Sequence, residues 1–258
     1  MLKKMIGIAA LAVVLAACDS GEPQQQAKVA AKSGGEDKPA IPASVKATAL
    51  LFQEQEKGVE PYSLRMLITP GFLRMDDGPD ARSFLLYDRK KKTIFNVNDD
   101  DKTVLVIHRR SLGMPESERP ELTIADNDTT GMPSLNTLRP VHKTLKAGKN
   151  TCYDVVAVPE LMPDAVAAMR EYLVTLSSQQ IENLDKTPVE MRNPCMMANL
   201  IYYPDKHLTY GFPLREWDYR GFVRELLDFG QETVNGDLFS VGDGYQKITL
   251  GRSGMKRE

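Results

Sequence analysis

From about Val45 the chain breaks into short runs in which apolar and polar residues alternate, each closed by turn formers. Tyr62 to Thr69 ends at Pro70-Gly71, and Phe72 to Met75 ends at Asp76-Asp77-Gly78-Pro79-Asp80. Ser83 to Tyr87 runs into the polar turn Asp88 to Lys92, and Thr93 to Val97 into Asn98-Asp99-Asp100-Asp101 before Thr103 to His108. Period-two runs of this length, spaced by tight polar turns, predict an antiparallel meander in which strands adjacent in sequence are adjacent in the sheet. Residues 111–140, rich in Pro, Ser, Asp and Thr, read as a long exposed excursion over an opening in that sheet. Strand character returns at Val141 to Leu145 and Tyr153 to Val158.

The period then changes. Pro163 suits a first helical turn, and apolar residues at 165, 166, 169, 172, 173, 176, 181 and 184 recur near every 3.6 residues. The pattern predicts one packing helix with Val166, Met169, Leu173 and Leu176 on its buried face, closed off by Pro188 and Pro194. The final third reads as strand again at Met196 to Tyr203, Leu214 to Trp217, Phe222 to Phe229 and Tyr245 to Leu250, with a frayed tail over 252–258.

The N-terminus has a different texture. Lys3 and Lys4 precede an uncharged apolar run, Met5 to Ala17, that ends in Leu15-Ala16-Ala17-Cys18. The run is short of the ~20 residues a spanning helix needs, and it lacks the polar face of a core helix. It resembles the bacterial lipoprotein signal, in which a peptidase cuts before the cysteine and the new terminus is acylated. That resemblance implies removal of residues 1–17, lipidation of Cys18 and attachment to the periplasmic side of a membrane, where several acyl chains hold firmly. Asp19 resembles the enteric signal for retention in the inner membrane. Residues 18–44, with Gln24-Gln25-Gln26, Ser33-Gly34-Gly35 and three prolines, have no hydrophobic period and read as a disordered tether. The folded region is then 45–251, enough for one large domain with a full core.

Charge narrows the partners. The 258 residues carry 33 Lys+Arg and 35 Asp+Glu, and loss of Lys3 and Lys4 leaves a mildly acidic mature chain. Such a balance argues against nucleic acid, which calls for a concentrated basic face. Cys152 and Cys195 form an even pair in a compartment that permits disulfides, and a bridge between them is the expected reading. The alternatives are two buried free thiols or a metal site.

Two stretches resemble the LolA/LolB lipoprotein-carrier superfamily. One runs from Gly71-Phe72-Leu73-Arg74-Met75 through Leu85-Leu86-Tyr87-Asp88 and Thr93-Ile94-Phe95-Asn96-Val97 to Val104-Leu105-Val106-Ile107. The other comprises Gly211-Phe212-Pro213-Leu214-Arg215, Asp218-Tyr219-Arg220-Gly221, Val234 to Phe239 and Gly244-Tyr245. The resemblance implies an α+β fold: a strongly curved antiparallel sheet, an incomplete barrel, covered by one main helix. It also implies a concave apolar face where a lipid or a lipoprotein's acyl chain could lie. The cysteine pair, the single long helix and the 111–140 segment depart from those carriers.

No catalytic signature is present. There is no Gly-x-Ser-x-Gly elbow, phosphate loop, His-Glu-x-x-His or Cys-x-x-Cys. His108, His142 and His207 are dispersed and read as surface or capping residues; Asp76-Asp77 and Asp99 to Asp101 read as hairpin turns rather than calcium ligands. Trp217 and the methionines, Met66, Met75, Met169, Met196 and Met197 among them, read as packing residues. The expectation is a non-enzymatic, acyl-anchored protein without a cofactor. It either binds an apolar ligand in the concave face or acts as an interaction module with a filled core.

Overall fold

The structure is a computed structural model that describes residues 41–258, apart from 112, 114, 115, 136, 189, 191, 252, 253 and 258. The signal, Cys18 and the tether up to residue 40 lie outside the described residues. The folded unit spans Ile41–Glu258.

Among the described residues thirteen strands form one sheet. In chain order they are β1 (Ser44–Gln55), β2 (Tyr62–Ile68), β3 (Phe72–Asp76), β4 (Phe84–Asp88), β5 (Thr93–Asn98), β6 (Thr103–His108), β7 (Leu122–Asn127), β8 (Val141–Ala147), β9 (Asn150–Val158), β10 (Phe212–Asp218), β11 (Val223–Asn235), β12 (Gln246–Gly251) and β13 (Gly254–Arg257). Their spatial order is β13-β12-β6-β5-β4-β3-β2-β1-β11-β10-β9-β8-β7. The predicted meander is present as β2 to β6, each strand antiparallel to the next. β1 joins the two halves, pairing with β2 on one side and with the distant β11 on the other, with an irregularity at Leu51/Phe52.

This architecture corrects the expected antiparallel, LolA-like half-barrel. The sheet is mixed, because β12 runs parallel to β6, and it is open, with β13 and β7 as its edges. Nor is one face left as a groove. Phe84, Leu86, Val97, Val104 and Val106 pack with Phe239, Leu238 and Tyr245 from the 236–245 segment. The alternate residue Tyr87 points the other way, to Tyr172 and Thr175 of helix α1 (Pro163–Asn183). β4 is therefore buried along its whole length, which is why Phe-Leu-Leu-Tyr is an unbroken apolar run.

Three further expectations change. The 111–140 segment contributes β7, an edge strand paired along its length with β8, rather than a cover over an opening. Met196 to Tyr203 is helical: Pro194–Met196 (α2) runs into a π-helical turn, Met197–Tyr202. Asn193 starts it by accepting the Met196 N–H at 2.8 Å, and a proline in the first turn supplies a φ already suited to helix. The tail expected to fray contributes β13.

Helix α1 begins at Pro163 as predicted but buries another face. Ala165, Ala168, Met169, Tyr172, Thr175, Ser178 and Gln179 are buried, while Val166, Leu173 and Leu176 are half-buried. Hydroxyl partners explain the rotation. Thr175 donates to the Tyr87 hydroxyl at 3.2 Å, and Ser177 to the Ile201 carbonyl at 3.1 Å. Satisfied in this way, small polar residues permit close helix packing that larger apolar ones would obstruct.

Candidate functional site: a basic cleft between the meander and the helices

Two basic segments, Arg89-Lys90-Lys91-Lys92 and His108-Arg109-Arg110, are separated in sequence by the β5–β6 hairpin. Antiparallel pairing brings their ends together: Thr93 is opposite His108, and the Arg109 N–H donates to the Lys92 carbonyl at 3.0 Å. The convergence follows from strand register, since six-residue strands joined by a short turn must return to the same end of the sheet.

The turn that carries the lysines is fixed in place. Asp88 accepts the Lys91 N–H at 2.8 Å, Thr93 donates to the Lys91 carbonyl, and Lys92 adopts a left-handed φ of 51°. Arg89 clamps the turn onto α1 through two hydrogen bonds to Glu171, at 2.8 and 2.9 Å, and a third to the Thr69 carbonyl. The pair holds the Arg89 pKa above its ordinary value, chiefly through the Glu171 hydrogen bonds. On the other segment the Arg110 N–H donates to Ser178 at 3.2 Å, and its guanidinium pairs with Glu182.

Between this basic wall and the helices lies a cleft of about 570 Å³. Lys91, Lys92, Arg109, Arg110 and Ser111 form one side; Val174, Ser177, Ser178 and Ile181 of α1, with Ile201 and Tyr202 of the π-helical turn, form the floor and far side. Lys90, Lys91, Lys92, Arg109 and Arg110 are all exposed. Arg110 has Glu182, Lys91 has Asp88 at 3.9 Å, and Asp205 across the cleft is held by Arg170 at 2.9 Å. Lys92 and Arg109 have no carboxylate partner among the described residues. A concave site with two uncompensated cations in its wall concentrates anions.

A second cluster of charge is sealed. Glu54, Arg224 and Glu216 are direct cross-strand neighbours on β1, β11 and β10. Arg224 pairs with Glu54, and with Glu216 at 2.9 Å. Burial works against the Arg224 charge, but the two carboxylates outweigh it and raise its pKa. Tyr153 lies against Glu216 and is raised well above the ordinary tyrosine value, first by burial. His207 packs against Tyr153 in a tilted arrangement with ring centroids 4.5 Å apart, and its Nε2 is 3.8 Å from Glu216 Oε2. Burial holds the His207 pKa below its usual value despite that carboxylate. Glu216 is 1 % exposed, so this ladder is an internal fastening of the sheet rather than a place for a ligand.

The residues singled out in the sequence fall as follows. Cys152 and Cys195 form a disulfide with Cα atoms 4.9 Å apart, tying β9 to α2. His108 is exposed and bonds Thr93 through Nδ1, and His142 is half-buried against Trp217; His207, expected as a surface or capping residue, is buried. Asp76, expected only to turn a hairpin, is buried and holds both Arg65 and Arg74. Met66, Met75, Met169 and Met197 lie in the core. Among the described residues no group of three or more His, Cys, Asp or Glu could hold a metal ion, and no helix is long and apolar enough to cross a membrane. Net charge averages over the chain and so hides the basic cleft. The signal lay in two basic runs flanking one hairpin.

No family model matches the chain, and no curated protein matches it. Three solved structures align with the chain at low similarity. An uncharacterized conserved protein from Thermus thermophilus aligns over 79% of this chain and 90% of its own, at 10% identity and a TM-score of 0.40. Two structures of PNGF-II align over 80% of this chain at 8% identity, with TM-scores of 0.36 and 0.37. This chain spans about a third of PNGF-II, 31% and 32% in the two structures. Similarity this weak carries no functional argument.

Proposed function

We propose that the protein is an acyl-anchored, non-enzymatic envelope protein whose folded region holds an anionic partner in the basic cleft. The anchor rests on Lys3 to Cys18 in the sequence, and the binding role on one observation: Lys92 and Arg109, from separate basic runs, face the same cleft without counter-charges among the described residues. Supporting it, the flanking cations are already committed to Glu171 and Glu182, so the turn and the strand end are set before any ligand arrives. Calorimetric titration with inorganic pyrophosphate tests the reading. Binding should weaken about tenfold in a Lys92→Gln/Arg109→Gln variant and fall with added salt, as ion release requires. Equal binding by wild type and variant would contradict it.

The second reading, a scaffolding module with a filled core and no ligand, draws on the packing of β4 from both sides. Absence of pyrophosphate binding at low salt would favour it.

A further inference from the structure

We infer that the cleft takes an amphiphilic anion: a phosphate- or carboxylate-class head against Lys92 and Arg109, with an apolar body laid along Val174 and Ile181. The inference rests on the reading of the cleft as an anion site and adds the class of molecule. Three observations carry it. The cleft, at about 570 Å³, is far larger than a bare phosphate and falls within the range of small-molecule sites, roughly 300–1,000 Å³. Charge is one-sided: the unpaired cations belong to the strand side, while Asp205 opposite them is neutralised by Arg170. The floor is made for apolar contact. Val174 and Ile181, seven residues apart on α1, are half-buried and leave apolar surface in the cleft, while the hydroxyls of Ser177 and Ser178 are already bonded to the carbonyls of Ile201 and Thr175. A ligand with a head alone would leave that floor wet, and one with a tail alone would strand two cations without a counter-ion.

The test uses the mature chain, residues 18–258, carrying Cys18→Ser, so that neither the apolar signal nor an acyl chain of its own competes. Dodecyl phosphate, inorganic phosphate and neutral dodecyl maltoside are compared, each amphiphile below its micelle concentration. Dodecyl phosphate should bind at least about tenfold more tightly than either of the others, since each buried methylene adds to affinity. Lys92→Gln/Arg109→Gln should weaken dodecyl phosphate about tenfold; Val174→Ser should weaken it several-fold and leave inorganic phosphate unchanged. A circular-dichroism melt of each variant confirms that it is folded, and a second apolar variant, Ile181→Ser, replaces Val174→Ser if that one is not. Vesicles of phosphatidylglycerol then distinguish the sources: competition with dodecyl phosphate supports a bilayer lipid head, and the lack of it supports a free amphiphile. Inorganic phosphate binding as tightly as dodecyl phosphate overturns the inference and leaves the anion site standing. Failure of both anions to bind overturns the anion site itself.

Discussion

Arg224 is flanked by Glu54 and Glu216 on neighbouring strands, and its removal would leave two like charges facing each other inside the protein. Breaking one member of a buried ionic set costs about 3–5 kcal/mol, most of it from the charge left behind. Arg224→Met should therefore lower stability by about 3 kcal/mol in urea unfolding, and a loss under about 1 kcal/mol would show that water relieves the carboxylates. His207 sets a pH dependence. Its folded pKa is depressed, so the unfolded chain takes up the proton first as acid is added. Stability is then complete above about pH 6.5 and falls as pH drops from there through the lower folded value. Melting temperatures measured from pH 8 to 5 should fall more steeply for wild type than for His207→Gln. Parallel curves would place the titration elsewhere. None of this ladder was legible in the sequence, because Glu54 and Arg224 lie 170 residues apart and meet only through strand pairing.

At the scale of elements, the disulfide joins β9 to α2 across a separation of 43 residues. The chain-entropy model gives about 4 kcal/mol for a loop of that length, and measured losses are commonly nearer 2 kcal/mol. Cys152→Ala/Cys195→Ala should lower stability by about 2–4 kcal/mol, read as a shift in the urea midpoint. Unchanged midpoints would mean that Ala147, Ala198 and Leu122, packed around the bridge, suffice. The meander was legible because its ladder is local: each turn of Gly, Pro, Asn and Asp fixes the next strand. The Met197–Tyr202 turn was not, since a short, nearly continuous apolar run broken only by Asn199 suits strand or helix equally. Asn193, Pro194 and the bond from Cys152 decide it. The buried face of α1 is likewise hidden from a reading of apolarity alone, because Thr175 and Ser177 pack closely once Tyr87 and Ile201 satisfy their hydroxyls.

For the whole molecule, the error in fold class has a single cause. A meander covered by one helix satisfies the local pattern as a half-barrel. It gives no sign that β12 returns beside β6 in parallel, or that Phe239 and its neighbours cover the second face. Non-local pairing and the 236–245 segment closed the apolar groove that the expected fold offered, while the local register of β5 on β6 gathered a charged wall at their ends. The most direct measurement of that claim is residue-resolved acetylation of lysines with and without pyrophosphate. Lys91 and Lys92 should be protected by the anion while the exposed Lys46, Lys57 and Lys149 react at unchanged rates. Uniform rates across all five, with or without pyrophosphate, would contradict an anion site at the ends of these strands.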